Sequence, residues 1–212
     1  MTKTTIPSSS IFRQAHISDC GQYRWSLSRT WDSDKPRCLW IMLNPSTADH
    51  LVDDPTIRKC MGFARQWGCG SIEVCNLFSY RATAPKDMMA ARDPVGLLND
   101  TILREATALC RINVAAWGSL GRFQNRDVAV YRLLCDVPLE CLGRTKDGHP
   151  RHPLYVPYDQ VREPFILFPT LRLDATVPEA CTPENLEKAK RDLDAGLGRD
   201  LGDYLAARCD HF

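Results

Sequence analysis

Asn44, Asn76 and His152 each follow an apolar run: CLWIML before Asn44, SIEVC before Asn76, and LECLG before a basic loop that reaches His152. An amide offers one hydrogen-bond donor and one acceptor group. An imidazole takes or gives a proton near neutral pH. If each run is a strand of an open α/β sheet, the three side chains arrive at carboxyl ends, where such sheets bind ligands. Together they have the means to hold a water, read a polar ring edge and stabilise a departing anion.

The neighbours of these residues each support a chemical and a structural reading. Pro45 forces an extended backbone at Asn44, and Asn44 then either orients a water or substrate or caps a turn. Ser46 and Thr47 either bond a phosphate or sugar or close the loop on themselves. Asp53 and Asp54 stand at a helix start, where carboxylates serve as caps; Asp54 is also placed to act as a base. Asn76 either presents its amide to a nucleobase or ties down the loop behind it. In the same stretch, NLFSYRAT, Phe78 and Tyr80 either stack on a base or fill core, and Arg81 adds a charge. Trp117, before Gly118, is expected to line a crevice. Arg144, Lys146 and Arg151 lie on a loop rich in Gly and Pro, suited to phosphate contacts or simply to solvent. That loop carries His149 and His152; His152, beside Leu154 and Tyr155, is the better candidate for a positioned imidazole.

The elements that would carry these groups alternate. YRWSLSRTW (23–31), CLWIML (38–43), SIEVC (71–75), RINVAAWG (111–118) and VPLECLG (137–143) read as strands. The continuous apolar run of 38–43 is the signature of a strand buried on both faces. Ile57, Cys60, Met61, Ala64 and Trp67 recur at helical spacing after Pro55, with Gly68 and Gly70 ending the helix. Ile102, Leu103, Ala106, Leu109 and Cys110 mark another helix, and 126–135 a further one. Residues 76–94 form a long loop or a loop with a short helix. FILF (165–168) reads as an added strand, and 184–208 as a charged helix weakened by Gly196, Gly198 and Gly202. The expected fold is a three-layer α/β/α arrangement with a central four-strand parallel sheet near 39–43, 71–76, 112–117 and 138–142. Residues 1–20 would be a flexible N-terminal segment, 21–160 the α/β domain, and 161–212 a C-terminal extension with a charged helix packed on it.

The 212 residues can bury a full core, and 44% hydrophobic with 25% charged residues is ordinary for a globular chain. A net charge of +1 argues against a large non-specific nucleic-acid surface but permits a local basic patch. No apolar run approaches the ~20 residues that span a bilayer, and MTKTTIPSSSIF lacks an apolar signal core. The expected location is cytoplasmic, with no membrane partner. None of the ten cysteines forms a C-x-x-C pair. They are expected to be buried thiols, with no metal and no cofactor.

The string LNPSTAD, DDPT, NLFSYRAT, AWGSLGR and LGRTKDGHPRHPLY, covering roughly residues 20–160, resembles a bacterial and phage family of unknown function. At longer range the order of motifs is similar to the uracil-DNA glycosylase superfamily. Its first motif follows the first core strand, often as Gly-x-Asn-Pro or Gly-x-Asp-Pro; here Leu43 precedes Asn44-Pro45. Its second is an Asn at a strand end, which Cys75-Asn76-Leu77, continuing to Arg81 and Pro85, matches in the form of the iron–sulfur branch. The four spaced cysteines of that branch are not here. AAWGSLG is similar to the superfamily strand that ends in Gly before a helix. The closing motif is His-Pro-Ser, where this chain has His152-Pro153-Leu154.

The resemblance implies a base-excising N-glycosidase of the uracil-DNA glycosylase-like fold. In that role Asn44 orients the attacking water, Asn76 reads the base, Phe78 stacks on it, and His152 stabilises its developing negative charge. The partner would be nucleic acid, DNA foremost, with Arg144, Lys146 and Arg151 on phosphates. Two other readings stay open: a non-catalytic binder of a nucleotide or modified nucleic acid, because an amide cannot accept a proton as a base, and a hydrolase of free nucleosides or nucleotides.

Overall fold

A computed structural model of the protein describes residues 11–46 and 52–167. The fold is α/β, built on one mixed sheet of seven strands in the order β1-β2-β4-β3-β5-β6-β7. The strands are β1 (Phe12–Ile17), β2 (Arg24–Thr30), β3 (Arg37–Met42), β4 (Ser71–Asn76), β5 (Ile112–Ala115), β6 (Glu140–Cys141) and β7 (Glu163–Pro164). The helices are α1 (Pro55–Gln66), α2 (Pro85–Met89), α3 (Asn99–Leu109) and α4 (Arg126–Leu133). Short 3-10 turns cover Ser119–Asn125 and Pro153–Tyr155.

The sheet corrects the four-strand parallel expectation. β3 pairs in parallel with β4 and β5, and β5 with β6, but β1, β2 and β7 run antiparallel at the two edges. Residues 12–17, expected in the flexible N-terminal segment, form β1 along β2. VPLECLG yields only the two residues of β6; Pro138 has no N–H to give a ladder, and Gly143 turns with φ +79. FILF is not the strand at the other edge. β7 is Glu163–Pro164, and Phe165 instead buries its ring in the core. Phe168 and the expected helix 184–208 lie outside the described residues.

Why CLWIML is apolar throughout is plain from the packing. Leu39 and Ile41 face a cluster with Ile102, Leu103 and Ala106 of α3 and Val130 of α4. Cys38, Trp40 and Met42 face the opposite cluster, with Ile57, Cys60, Met61 and Phe63 of α1. Period-two alternation therefore buries Cys38 to Met42, alternately on the two faces. α1 begins as its sequence directs: Asp54 Oδ1 accepts the N–H of Ile57 at 2.8 Å, and Pro55 follows at the first helical position. All eight described cysteines are free, and six are buried, as expected of their apolar setting. Among the described residues no helix is long and apolar enough to cross a membrane.

Candidate functional site

A crevice of about 310 Å³ opens where β3 and β5 end, lined by Met42, Leu43, Asn44, Pro85, Trp117, Gly118, Ser119, Leu120 and His152. Asn44, Trp117 and His152, three of the expected site residues, thus meet there. Asn44 is held from behind: its Nδ2 donates to the carbonyl oxygens of Ala82 at 2.8 Å and Pro45 at 3.2 Å. Both amide protons are thereby engaged, and among the described residues nothing donates to Oδ1. The side chain can therefore accept a hydrogen bond from a water or ligand, but it has no donor left to offer one.

Trp117 is nearly inaccessible at 2% and meets the ring of Phe165 edge-on at 5.3 Å. It closes over Gly121, where a Cβ would stand 2.1 Å from the indole Cδ1. Gly118 has φ +72, which an L side chain tolerates poorly, and its N–H donates to Pro150 at 3.0 Å. That bond ties the end of β5 to the loop carrying His152.

His152 accepts the N–H of Leu154 on Nδ1 at 3.3 Å, which leaves Nε2 to carry the proton of the neutral ring. Burial pushes its pKa below the ordinary value, with the carboxylate of Asp54 opposing. His152 is therefore a neutral donor near pH 7, not a cation. Asp54 is the cap of α1 and also acts electrostatically on His152.

A second group of polar residues stands beyond Asn44 on the same edge of the sheet. The segment after β4 is bonded on one side to the end of β3, through Leu77 to Met42 (2.8 Å), Phe78 to Leu43 (3.0 Å) and Ala82 to Pro45 (2.9 Å). On the other side it is bonded to the start of β2, through Arg24 to Ser79 (2.9 Å) and Arg81 to Gln22 (2.8 Å). Because β2 is antiparallel, its first residue, Arg24, comes to the edge where β3, β4 and β5 finish. The register with β1 slips there: His16 faces Ser26 but Ile17 faces Arg24. This irregularity breaks the alternation of β2, so that Trp25 joins the α3 cluster while Leu27 joins the α1 cluster.

Arg24 is 7% exposed, and among the described residues its Nε has no hydrogen-bond partner. Burial lowers its pKa to about 10; the charge of Arg81 pushes the same way, and Asp54 opposes. Asn76 is 2% exposed and its Nδ2 is likewise open among the described residues. Asn99 and Arg126 grip the strand end itself, donating to the carbonyls of Asn76 and Leu77. Arg24 escaped the sequence reading because it begins a strand; the available signal was a charge inside a strand that is otherwise buried.

Other expected positions fall elsewhere. Asn76 does not line the crevice, which lies over β3 and β5, whereas Asn76 ends β4 on the Arg24 side. Phe78 is fully buried and packs against Phe123 at 5.7 Å, so it offers no face for stacking. Tyr80 bridges to Tyr23 and meets its ring edge-on at 5.8 Å, also away from the crevice. The guanidinium of Arg144 is taken by the carbonyls of Ile166 (2.8 Å) and Pro164 (3.3 Å) and lies over Phe165. It holds the β7 segment. Lys146 is exposed on the turn of that loop, and Arg151 is half-buried beside Gly143. Pro45 is buried, Ser46 half-buried, and Thr47 lies outside the described residues. Asp53, the other carboxylate at the helix start, pairs with the buried Arg29 at 2.6 Å. No group of three or more His, Cys, Asp or Glu among the described residues is arranged to hold a metal ion.

Residues 24–154 match a family model described as Protein of unknown function (DUF1643). The chain belongs to this family. Asn44, Trp117 and His152 all fall within the matched residues, as do Arg24, Asn76 and Arg81, so both polar groups belong to the family's domain. No curated protein and no solved structure matches the chain.

Proposed function

We propose that the protein is a nucleobase N-glycosidase, with a fold of the uracil-DNA glycosylase kind, that releases a damaged or modified base from DNA. The observation that carries this reading is the pairing, in one crevice, of an acceptor-only Asn44 with a neutral, proton-bearing His152. N-glycoside hydrolysis needs a water held against the sugar and a donor for the base that departs with the bond's electron pair. Asn44 Oδ1 accepts from the water, whose oxygen bonds to the sugar C1′ as the C1′–N bond breaks. His152 Nε2–H bonds the leaving base, and the proton released by the water ends on that base. Neutral His152 suits this role, because a fixed donor stabilises charge that develops only in the transition state. The four mutually parallel strands β4-β3-β5-β6, with motif residues following β3 and β4 and on the loop after β6, support the fold reading.

A second reading, hydrolysis of free nucleotides, is favoured by Arg144. Its engagement with Pro164 and Ile166 removes a cation from the loop expected to grip a DNA backbone.

The test is a panel. Oligonucleotides carrying uracil, hypoxanthine, xanthine or phage-type modified bases are assayed for abasic sites, and free nucleosides and nucleotides for base release. Base release from any of the oligonucleotides, lost in Asn44→Ala, supports the DNA glycosidase. No release from the whole panel leaves a binding protein. Release from free nucleotides alone selects the second reading.

A further inference from the structure

We propose that Arg24, with the open amide of Asn76 on the adjoining strand, binds the phosphate of a nucleotide whose base occupies the crevice at Asn44 and His152. The inference rests on the reading above and narrows its substrate to one whose phosphate is taken inside the site. A guanidinium more than nine-tenths buried requires a counter-charge, since an uncompensated buried charge is strongly destabilising. Neighbouring arginines have theirs. Arg29 pairs with Asp53, and Arg13 reaches the same carboxylate at 3.3 Å. Arg24 alone of the three makes no ion pair among the described residues, and the charge of Asp54 acts on it without a contact.

The setting argues for an oxyanion supplied by a ligand. Asn76 Nδ2 is a second buried donor without a partner among the described residues, one strand away from Arg24 in the order β2-β4-β3. The slip in register at Ile17 and Arg24 gives the guanidinium its place, and such irregularities serve to re-aim side chains beside functional sites. The charge of Arg81 lies near enough to disfavour a second cation and favour an anion. Arg24 and Asn44 stand two strand spacings apart, about 10 Å, the scale on which one nucleotide separates its phosphate from its base.

Thermal melting and calorimetric titration of the full chain test this. Deoxynucleoside 5′-monophosphates, the matching nucleosides and inorganic phosphate are compared on wild type, Arg24→Gln and Arg24→Lys. A second arm compares an oligonucleotide with one whose phosphate beside the target base is a neutral methylphosphonate. Expected is at least a tenfold preference for the phosphorylated ligand, erased in Arg24→Gln and partly kept in Arg24→Lys. Unliganded Arg24→Gln should melt no lower than wild type, because the variant removes a buried charge that makes no ion pair among the described residues. A preference in the monophosphate arm assigns a free nucleotide; a preference confined to the oligonucleotide arm assigns a strand phosphate. The proposal is overturned if neither arm shows a phosphate preference, or if Arg24→Gln retains it. Phosphate-dependent binding without base release would sink the glycosidase and keep this site. Base release that ignores both the phosphate and Arg24 would do the reverse.

Discussion

Asn44 and Ala82 are joined by a hydrogen bond of 2.8 Å, from the side-chain amide to a carbonyl 38 residues along the chain. It fixes which end of the amide faces the crevice. Asn44→Ala should lower turnover by about 10² while changing substrate affinity far less, since water orientation acts in the chemical step. On the glycosidase reading, Asn44→Asp should not raise turnover, although a carboxylate is the better base. It would set an acceptor against the carbonyls of Ala82 and Pro45, and the fold should lose about 1–3 kcal/mol. Single-turnover rates and denaturant melts of the two variants check this. An active, fully stable Asn44→Asp would refute the assignment of the donor end.

His152 gives a pH signature. Its folded pKa is depressed, so the folded protein binds the proton less readily than the unfolded chain. Above the unfolded value, about 6.5, both states are neutral and the stability is fully present. As pH falls below that value the unfolded chain protonates first, and stability is lost down through the folded pKa. His16 is shifted the same way by burial, so the measurement is a difference. Melting temperatures of wild type and His152→Gln from pH 7.5 to 5 should show the steeper acid loss in wild type. Activity should fall over the same range, because protonation places a hydrogen on Nδ1 against the N–H of Leu154. Parallel melting curves would show that His152 is not held neutral.

The pair Arg29–Asp53 should be among the costliest to break. Arg29 is completely buried, with Asp53 at 2.6 Å. Asp53→Ala leaves that guanidinium without its carboxylate and should cost about 3–5 kcal/mol in urea denaturation. Asp54→Ala removes the α1 cap and breaks no ion pair among the described residues, so about 1 kcal/mol is expected. Equal effects at the two positions would mean that Asp53 is not the anchor.

Gly121 controls Trp117. A Cβ 2.1 Å from the indole Cδ1 cannot be accommodated unless the ring moves. Gly121→Ala should therefore destabilise the fold by about 1–3 kcal/mol and weaken ligand binding in the crevice. The indole emission should change relative to a Trp117→Phe control. An unaltered spectrum with intact binding would show that the crevice wall tolerates displacement.

The sequence by itself determined what local periodicity and end chemistry determine. The unbroken apolar run 38–43 meant burial on two faces, and Leu39, Ile41, Trp40 and Met42 divide between the two cores accordingly. Asp54-Pro55 meant a helix start, and Asp54 caps α1. Residues following β3 and β5, Asn44 and Trp117, line the crevice together with His152 from the loop after β6.

Tertiary structure decided the rest, because strand order and direction are set by long-range pairing and leave no local periodic mark. Asn76 also ends a strand, yet β4 lies between β3 and the antiparallel β2, so it stands beside Arg24 and is not among the residues that line the crevice. Arg24 begins its strand and reaches the same edge only because β2 runs the other way. Phe78 and Arg144 have the residue types of a stacking platform and a phosphate arm. What occupies them is a core cluster around Phe123 and the carbonyls of Pro164 and Ile166. Their partners come from folding, and a side chain's type cannot announce which partner claims it first.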